Sequence, residues 1–337
     1  MTTVREDWLG TTVEEVLEPE LAICDPHHHL WDRPDSRYLL DELLADTRDG
    51  GHNITETVFV ECSAMYRKDG PTAMASVGEV EFVQGIAAQS ASGIYGDPRL
   101  AAGIIGFANL ALGSDVIEVL EAHIAASRDR FRGVRHASVW DASPELTSYK
   151  KPPEGLLGDS KFREGVAALG NLGLSYEAWL YHTQLMELVD LAQAFPNVPI
   201  VLDHIGGPIG IGPYEDKKDE VMANWKAGIT ALAACPNVVV KLGGFGMPLG
   251  GFGWHERDKP ASSTELAQTM GPWYLHCIEE FGVDRCMFES NFPVDKQSVS
   301  YTVLWNTFKR TAEGFSADEK AALFRGTALR AYRIGAG

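Results

Sequence analysis

Ile23-Cys24-Asp25-Pro26-His27-His28-His29-Leu30-Trp31-Asp32 is the stretch that decides how this chain is read. A short apolar run, Leu21-Ala22-Ile23-Cys24, leads into a carboxylate and three consecutive histidines. Residues two apart on a strand point to the same face. Strand parity therefore puts Asp25, His27 and His29 on one face and Pro26 and His28 on the other. Two imidazoles aimed from one strand end into one cavity are half of a metal site, and imidazole nitrogen suits zinc and similar divalent ions.

Working outward, seven more short apolar runs read as strands: Thr57–Cys62, Ala101–Phe107, Gly133–Val139, Leu174–Trp179, Pro199–Asp203, Val238–Leu242 and Cys286–Glu289, after Leu21–Asp25. Stretches with apolar residues at helical spacing separate most of them: Met74–Ser90, Ser114–Ser127, Ser160–Leu172, Gln184–Phe195, Asp219–Ala234, Ser263–Phe281 and Ala317–Tyr332. Short apolar strands alternating with amphipathic helices predict a parallel sheet with helices outside. Eight such units predict an α/β fold of the (β/α)8 barrel type. An open doubly wound sheet is the alternative, weakened because no Gly-x-Gly-x-x-Gly follows the first strand. Residues 1–20 read as an N-terminal extension and 21–337 as one barrel domain. Long loops, Arg33–Asn53, Asp141–Asp159 and the Gly-rich Gly243–Pro260, follow the first, fourth and seventh strands, on the face where barrel enzymes build their sites. The last of these reads as a mobile cover over the mouth.

Composition narrows the function classes. The chain has 337 residues, 45% of them hydrophobic, and a formal net charge of −18. Such an acidic balance disfavours nucleic acid and anionic membrane as partners. No apolar run approaches the roughly 18 residues of a membrane span. The acidic start MTTVREDWLGTTVEEVLEPE lacks the apolar segment of a signal peptide. Five cysteines in no Cys-x-x-Cys pattern argue against a disulfide framework, and a reducing cytoplasm fits. A small-molecule substrate is the expected partner, and a homodimer stays open.

Other candidate residues stand at the same strand ends. His204 closes the sixth strand before Gly206-Gly207-Pro208 and becomes a ligand candidate beside His27 and His29. His182 and Glu177 follow and end the fifth strand; parity sends them to opposite faces unless the strand stops before His182. Glu177 reads either as a cavity carboxylate or as half of a buried ion pair with Lys241 or Arg135. Glu289 and Asn291 share a face of the eighth strand. Arg135 and Lys241 are candidates for holding a substrate carboxylate, or for structural salt bridges.

Together, Asp25-x-His27-x-His29-Leu-Trp31-Asp32, Leu202-Asp203-His204-x-Gly-x-Pro208 and Met287-Phe288-x-Ser290-Asn291-Phe-Pro293 resemble the amidohydrolase superfamily. The resemblance is to its lactonase-like "amidohydrolase 2" branch of TIM barrels, with fuconolactonase-like and 2-pyrone-4,6-dicarboxylate lactonase-like proteins, and covers Leu21 to Tyr332. It implies one divalent metal ion, zinc foremost, on His27, His29 and His204, with His182 as a further ligand; some relatives are thought to act without metal. It implies a hydrolase that opens a lactone or related ester ring of a small, carboxylated substrate, with Trp31 beside the substrate. The family's Asp on the eighth strand, metal ligand and general base, is Asn291 here. An Asn cannot accept a proton at neutral pH, though its carbonyl oxygen can still orient water. Glu289, Glu177 or His182 would then take the proton. A non-oxidative decarboxylase and a catalytically silent binding relative are the competing expectations.

Overall fold

The structure, a computed structural model, describes residues 4–146 and 150–335. Residues 147–149, within the loop expected over Asp141–Asp159, lie outside the described residues. Eight parallel strands run in chain order around one sheet: β1 (Ile23–His28), β2 (Ile54–Val60), β3 (Arg99–Gly106), β4 (Phe131–Arg135), β5 (Ser175–Ala178), β6 (Ile200–Leu202), β7 (Val238–Leu242) and β8 (Cys286–Phe288). The ends of the sheet meet where β8 runs out: Asn291 N donates to His27 O at 2.9 Å and His29 N to Phe292 O at 2.8 Å. The result is the expected (β/α)8 barrel, closed next to its histidines.

Both strand faces are buried, which is why the strands read as apolar runs rather than alternating ones. Cys24, Val58, Val60, Ile105, Val201 and Met287 pack inside the barrel with Tyr332. Ile23, Phe59, Ile104, Leu202, Leu242 and Phe288 face the helices, as when Phe288 stacks on Phe308 at 4.7 Å. Helices fall within a few residues of the predicted ranges. Three more, Glu6–Leu9, Leu40–Thr47 and Tyr301–Thr311, arise where none was expected. Before β1, Glu14 accepts from Ser263 N at 2.7 Å and Leu17 O accepts from Lys309 Nζ at 2.6 Å, so residues ahead of the barrel pack against its outside. All five cysteines are buried and free.

One parity expectation is corrected. From Asp25 to His28 on β1 the partners advance only from Thr57 to Phe59 on β2. The extra residue is a bulge at Pro26, and a bulge reverses which face follows. Cys24 points into the barrel, whereas Asp25 accepts from Tyr301 Oη on an outer helix at 2.9 Å and from Ser290 N at 3.0 Å. Asp25 and His27 therefore do not share a face. His27 and His29 do. His28 points away: its Nε2 meets Thr57 Oγ1 at 2.9 Å and its ring meets the edge of Phe59.

The loop after β2 is pinned by a buried carboxylate. Glu79 Oε1 accepts from Cys62 N at 3.0 Å and Ala64 N at 2.8 Å, and its Oε2 has no partner among the described residues. Burial first, then the charge of Glu61, pushes Glu79 up to about 7. Its folded-state affinity for the proton thus exceeds the unfolded one, and the stability this supplies below about pH 4.5 is lost as pH rises through about 7. Glu79→Gln keeps the accepting oxygen and removes the charge. The variant is expected to flatten the loss of stability between pH 5 and 8, a span on the order of 3 kcal/mol. Urea midpoints across that range check it; a variant with the wild-type slope refutes it.

Candidate active site

At the C-terminal end of the barrel, buried side chains from seven strand ends meet. His27 is fully buried, its ring 4.7 Å from that of His204 and 4.9 Å from that of His29. Glu289, one residue past β8, lies under both: Oε1 accepts from His204 Nδ1 at 2.6 Å and from His204 N at 3.1 Å, and Oε2 lies 2.7 Å from His27 Nδ1. The chain is bent hard to bring this about. His204 and Ile205 both have positive φ, 53° and 49°, a region that costs a non-glycine residue about 1–3 kcal/mol. The Gly-rich segment after β7 is needed for the approach. A Cβ on Gly243 would stand 2.4 Å from Glu289 Cγ, and one on Gly244 2.6 Å from His204 Cβ. This segment, expected to be a mobile cover, is tied down: Gly246 N donates to Asp295 Oδ2 at 2.8 Å, and Leu249 O accepts from Gly210 N at 2.8 Å.

Below this cluster runs a chain of buried charges. Lys241 Nζ donates to Glu177 Oε2 at 2.7 Å, lies 3.1 Å from Asp203 Oδ1 and 3.3 Å from His27 Nδ1. Tyr332 Oη donates to Glu177 Oε1 at 2.6 Å. Arg135 Nε donates to Glu61 Oε1 at 3.1 Å, and Nη1 reaches Asp203 Oδ2 at 3.4 Å and His27 Nε2 at 3.3 Å. Lys150, from the loop after β4, also ends on Glu61. Of the readings left open for Glu177, the ion pair with Lys241 is what forms. Arg135 and Lys241, expected as substrate clamps, each already hold two carboxylates.

These neighbours set the charge states. Burial lowers His27 well below its usual value, with Lys241 adding to the effect, so its imidazole is neutral. His29 is lowered by burial and then by Arg135. For His204 burial works against the charge, but Glu289 and then Asp203 outweigh it and hold the ring above its ordinary value. Asp203 is disfavoured by burial, yet Lys241 and Arg135 bring it down to about 2. Glu177 is pushed by burial up to about 7, with Lys241 opposing.

His182 is parted from this cluster. β5 stops at Ala178, and the chain turns so that His182 opens a short helical turn. Its Nδ1 accepts from Ile209 N at 3.4 Å and its ring meets Tyr214. The ring that meets His204 from this loop is Trp179, at 4.8 Å. His29 donates from Nδ1 to Val60 O at 2.7 Å, and Trp31 stacks on it at 5.9 Å. Asn291 donates from Nδ2 to Asp295 Oδ1 at 2.8 Å.

The sequence matches the family model described as Amidohydrolase over residues 24–334. The chain belongs to the amidohydrolase family. It is 32% identical to y4mH of Sinorhizobium fredii, an uncharacterized protein, over 94% of this chain and 99% of that one. It is 30% identical to the L-fucono-1,5-lactonase of Burkholderia multivorans over 52% of this chain and 57% of that enzyme. A solved amidohydrolase of Burkholderia multivorans with bound zinc shares the fold, at a TM-score of 0.69 and 24% identity, over 93% of this chain and 99% of that one.

Among its described residues the amidohydrolase carries two groups of buried side chains whose donor atoms lie within 4.8 Å of one another, His27–His204–Glu289 and His27–Glu177–Asp203. The second already contains a cation, the ammonium of Lys241. The first fits a divalent ion. Glu289 Oε2 is buried and accepts no hydrogen bond among the described residues, despite the 2.7 Å approach of His27 Nδ1. The two donor atoms lie close enough to share a cation, which would take the place of the 3.3 Å contact of Lys241 Nζ on His27 Nδ1, and the neutral imidazole of His27 is the ligating form. Sequence reading passed over Glu61, Asp203 and Asp295. A carboxylate closing an apolar run, as Asp203 closes Val201-Leu202, was the available signal, because such a group needs a partner once buried.

Proposed function

We propose that this amidohydrolase opens the ring of an uncharged lactone, with zinc held by His27, His204 and Glu289. The observation that carries the reading is the placement of Glu289. It lies beside His27 and His204 and keeps Oε2 without a hydrogen bond in a buried site. A divalent ion held by His27, His204 and Glu289 would supply Lewis acidity, polarising the lactone carbonyl and making the attacking water more acidic. Glu289 then fills the office that the resemblance gives to an Asp at position 291. The Glu289 carboxylate accepts the proton of the attacking water as the C–O bond to the carbonyl forms, and returns it to the ring oxygen as the ring bond breaks. Glu177 is held by Lys241 and Tyr332, and His182 stands with Tyr214, so neither is as well placed to take that proton.

An uncharged substrate follows from the charges. Arg135, Lys241 and Lys150 face Glu61, Asp203 and Glu177, so each cation that could hold a substrate carboxylate is already paired with a carboxylate of the barrel, and Lys241 could not turn away without leaving Glu177 buried and unpaired. The sugar lactone named for the relative in Burkholderia multivorans has this character. The test is a panel of sugar 1,4- and 1,5-lactones, dicarboxylated pyrone lactones and aromatic carboxylates, with proton release and carbon dioxide both followed. Ring opening of sugar lactones that is lost on chelation and regained with zinc is expected. Carbon dioxide from the acids, or no turnover of any lactone, refutes the hydrolase; turnover of the dicarboxylates alone refutes the charge argument.

A further inference from the structure

Four residues beyond Asn291 the chain places a carboxylate that none of the sequence motifs includes. Asp295 is 1% exposed, and both its oxygens are in use. Oδ1 accepts from Asn291 Nδ2 at 2.8 Å, and Oδ2 accepts from Gly246 N at 2.8 Å. Asp295 N also donates to Asn291 O at 3.1 Å, closing a turn between the two residues. Asn291 itself sits at φ 55°, a left-handed conformation that Asn tolerates better than most residues. Its N–H is bonded to His27 O, so the backbone of Asn291 is anchored to the strand that bears the site histidines.

The side-chain amide has two unlike ends. The ionised carboxylate of Asp295 only accepts, and it takes the NH2 end of the amide. The planar group then turns Oδ1 the other way, and Asn291 Oδ1 accepts no hydrogen bond from the described residues. We propose that Asp295 is a positioning residue: by holding Nδ2 of Asn291, it presents the Asn291 carbonyl oxygen to the His27–His204–Glu289 cluster as an acceptor for a cation or its water. The pair Asn291–Asp295 thereby keeps an oxygen where the family resemblance places a carboxylate, and moves the negative charge one turn further out. The proposal rests on the reading of that cluster as a zinc site.

The isosteric variant Asp295→Asn tests this sharply. Asn at 295 has one accepting oxygen, which Gly246 N claims, and an NH2, which then faces Asn291. Asn291 has to rotate and offer Oδ1 to that NH2, which turns its own NH2 toward the cluster. A donor now points where a cation binds. Partners that orient a metal's ligands change affinity by about 10–100-fold when removed. Zinc titration of the metal-stripped protein is therefore expected to show a dissociation constant at least tenfold weaker in Asp295→Asn. The exchanged double variant Asn291→Asp/Asp295→Asn satisfies every group again: Asn at 295 accepts from Gly246 N and donates to Asp at 291, which keeps its other oxygen for the site. It is expected to restore the wild-type zinc affinity or exceed it.

Melting temperatures of all three proteins accompany the titrations. Unchanged zinc affinity in Asp295→Asn overturns the proposal. So does a double variant that melts like the wild type yet stays weak, since the loss would then not lie in the orientation of one amide. A wild-type protein that takes up no zinc overturns the site reading and the proposal together, whereas zinc uptake with no lactone turnover removes only the hydrolase.

Discussion

Glu289→Gln is expected to lower kcat/KM for lactone opening by about 10²–10⁴-fold, the range seen when a positioned proton acceptor is lost. The substitution keeps the shape of the side chain, which matters here because the space beside Glu289 is so narrow that a Cβ on Gly243 would stand 2.4 Å from its Cγ. Gln can still accept from His204 through one oxygen. Its other end becomes an NH2 beside His27 Nδ1, where the wild-type protein has a free carboxylate oxygen at 2.7 Å. The cluster also loses a negative charge while Lys241 and Arg135 remain 3.3 Å from the His27 ring, so the field at the site turns against a cation. Zinc content per chain is therefore expected to fall together with kcat, and the melting temperature to stay near the wild type. Activity within threefold of the wild type would mean that another group takes the proton.

The barrel was readable from the sequence because each strand is buried on both faces and so stands out as a short apolar run. The histidine pair was readable for a different reason: the bulge at Pro26 lies before His27 and leaves the two-residue spacing of His27 and His29 intact. Asp25, on the other side of that bulge, was assigned to the wrong face. Parity holds only while the ladder is regular, and a sequence does not show where a residue is added. His182 illustrates the same limit, since its position depended on where β5 ends. Of the charge chain, the pair of Glu177 with Lys241 was among the readings; the rest was out of reach. Arg135 is 74 residues from Glu61, and only the closed barrel brings such residues into contact. The helix Tyr301–Thr311 went unseen although its Tyr301 fixes Asp25.

Lys241→Met is expected to destabilise the fold by about 3–5 kcal/mol, the cost of leaving buried charges without their partner. Met fills much of the same volume, so the loss is electrostatic rather than a cavity. Lys241 is fully buried between Glu177 and Asp203, which oppose burial strongly enough to hold its ammonium above the usual lysine value. Asp203 would retain Arg135 at 3.4 Å, but Glu177 would retain only the hydroxyl of Tyr332. Glu177 already sits at about 7 with Lys241 present, and without it burial pushes the carboxyl higher. A raised carboxyl contributes stability that is complete below its unfolded value and is lost as pH rises through the folded one. The gap between wild type and Lys241→Met in urea midpoint is therefore expected to widen from pH 6 to pH 9. The double variant Lys241→Met/Glu177→Gln should recover much of the loss and remove the widening, because Gln carries no charge to bury and its oxygen can still accept from Tyr332. A single variant as stable as the wild type at pH 9 would show that Glu177 and Asp203 do not depend on the lysine. A double variant that regains stability and still opens lactones would show that Glu177 serves the barrel and not the proton transfer, leaving Glu289 as the carboxylate at the reacting bond.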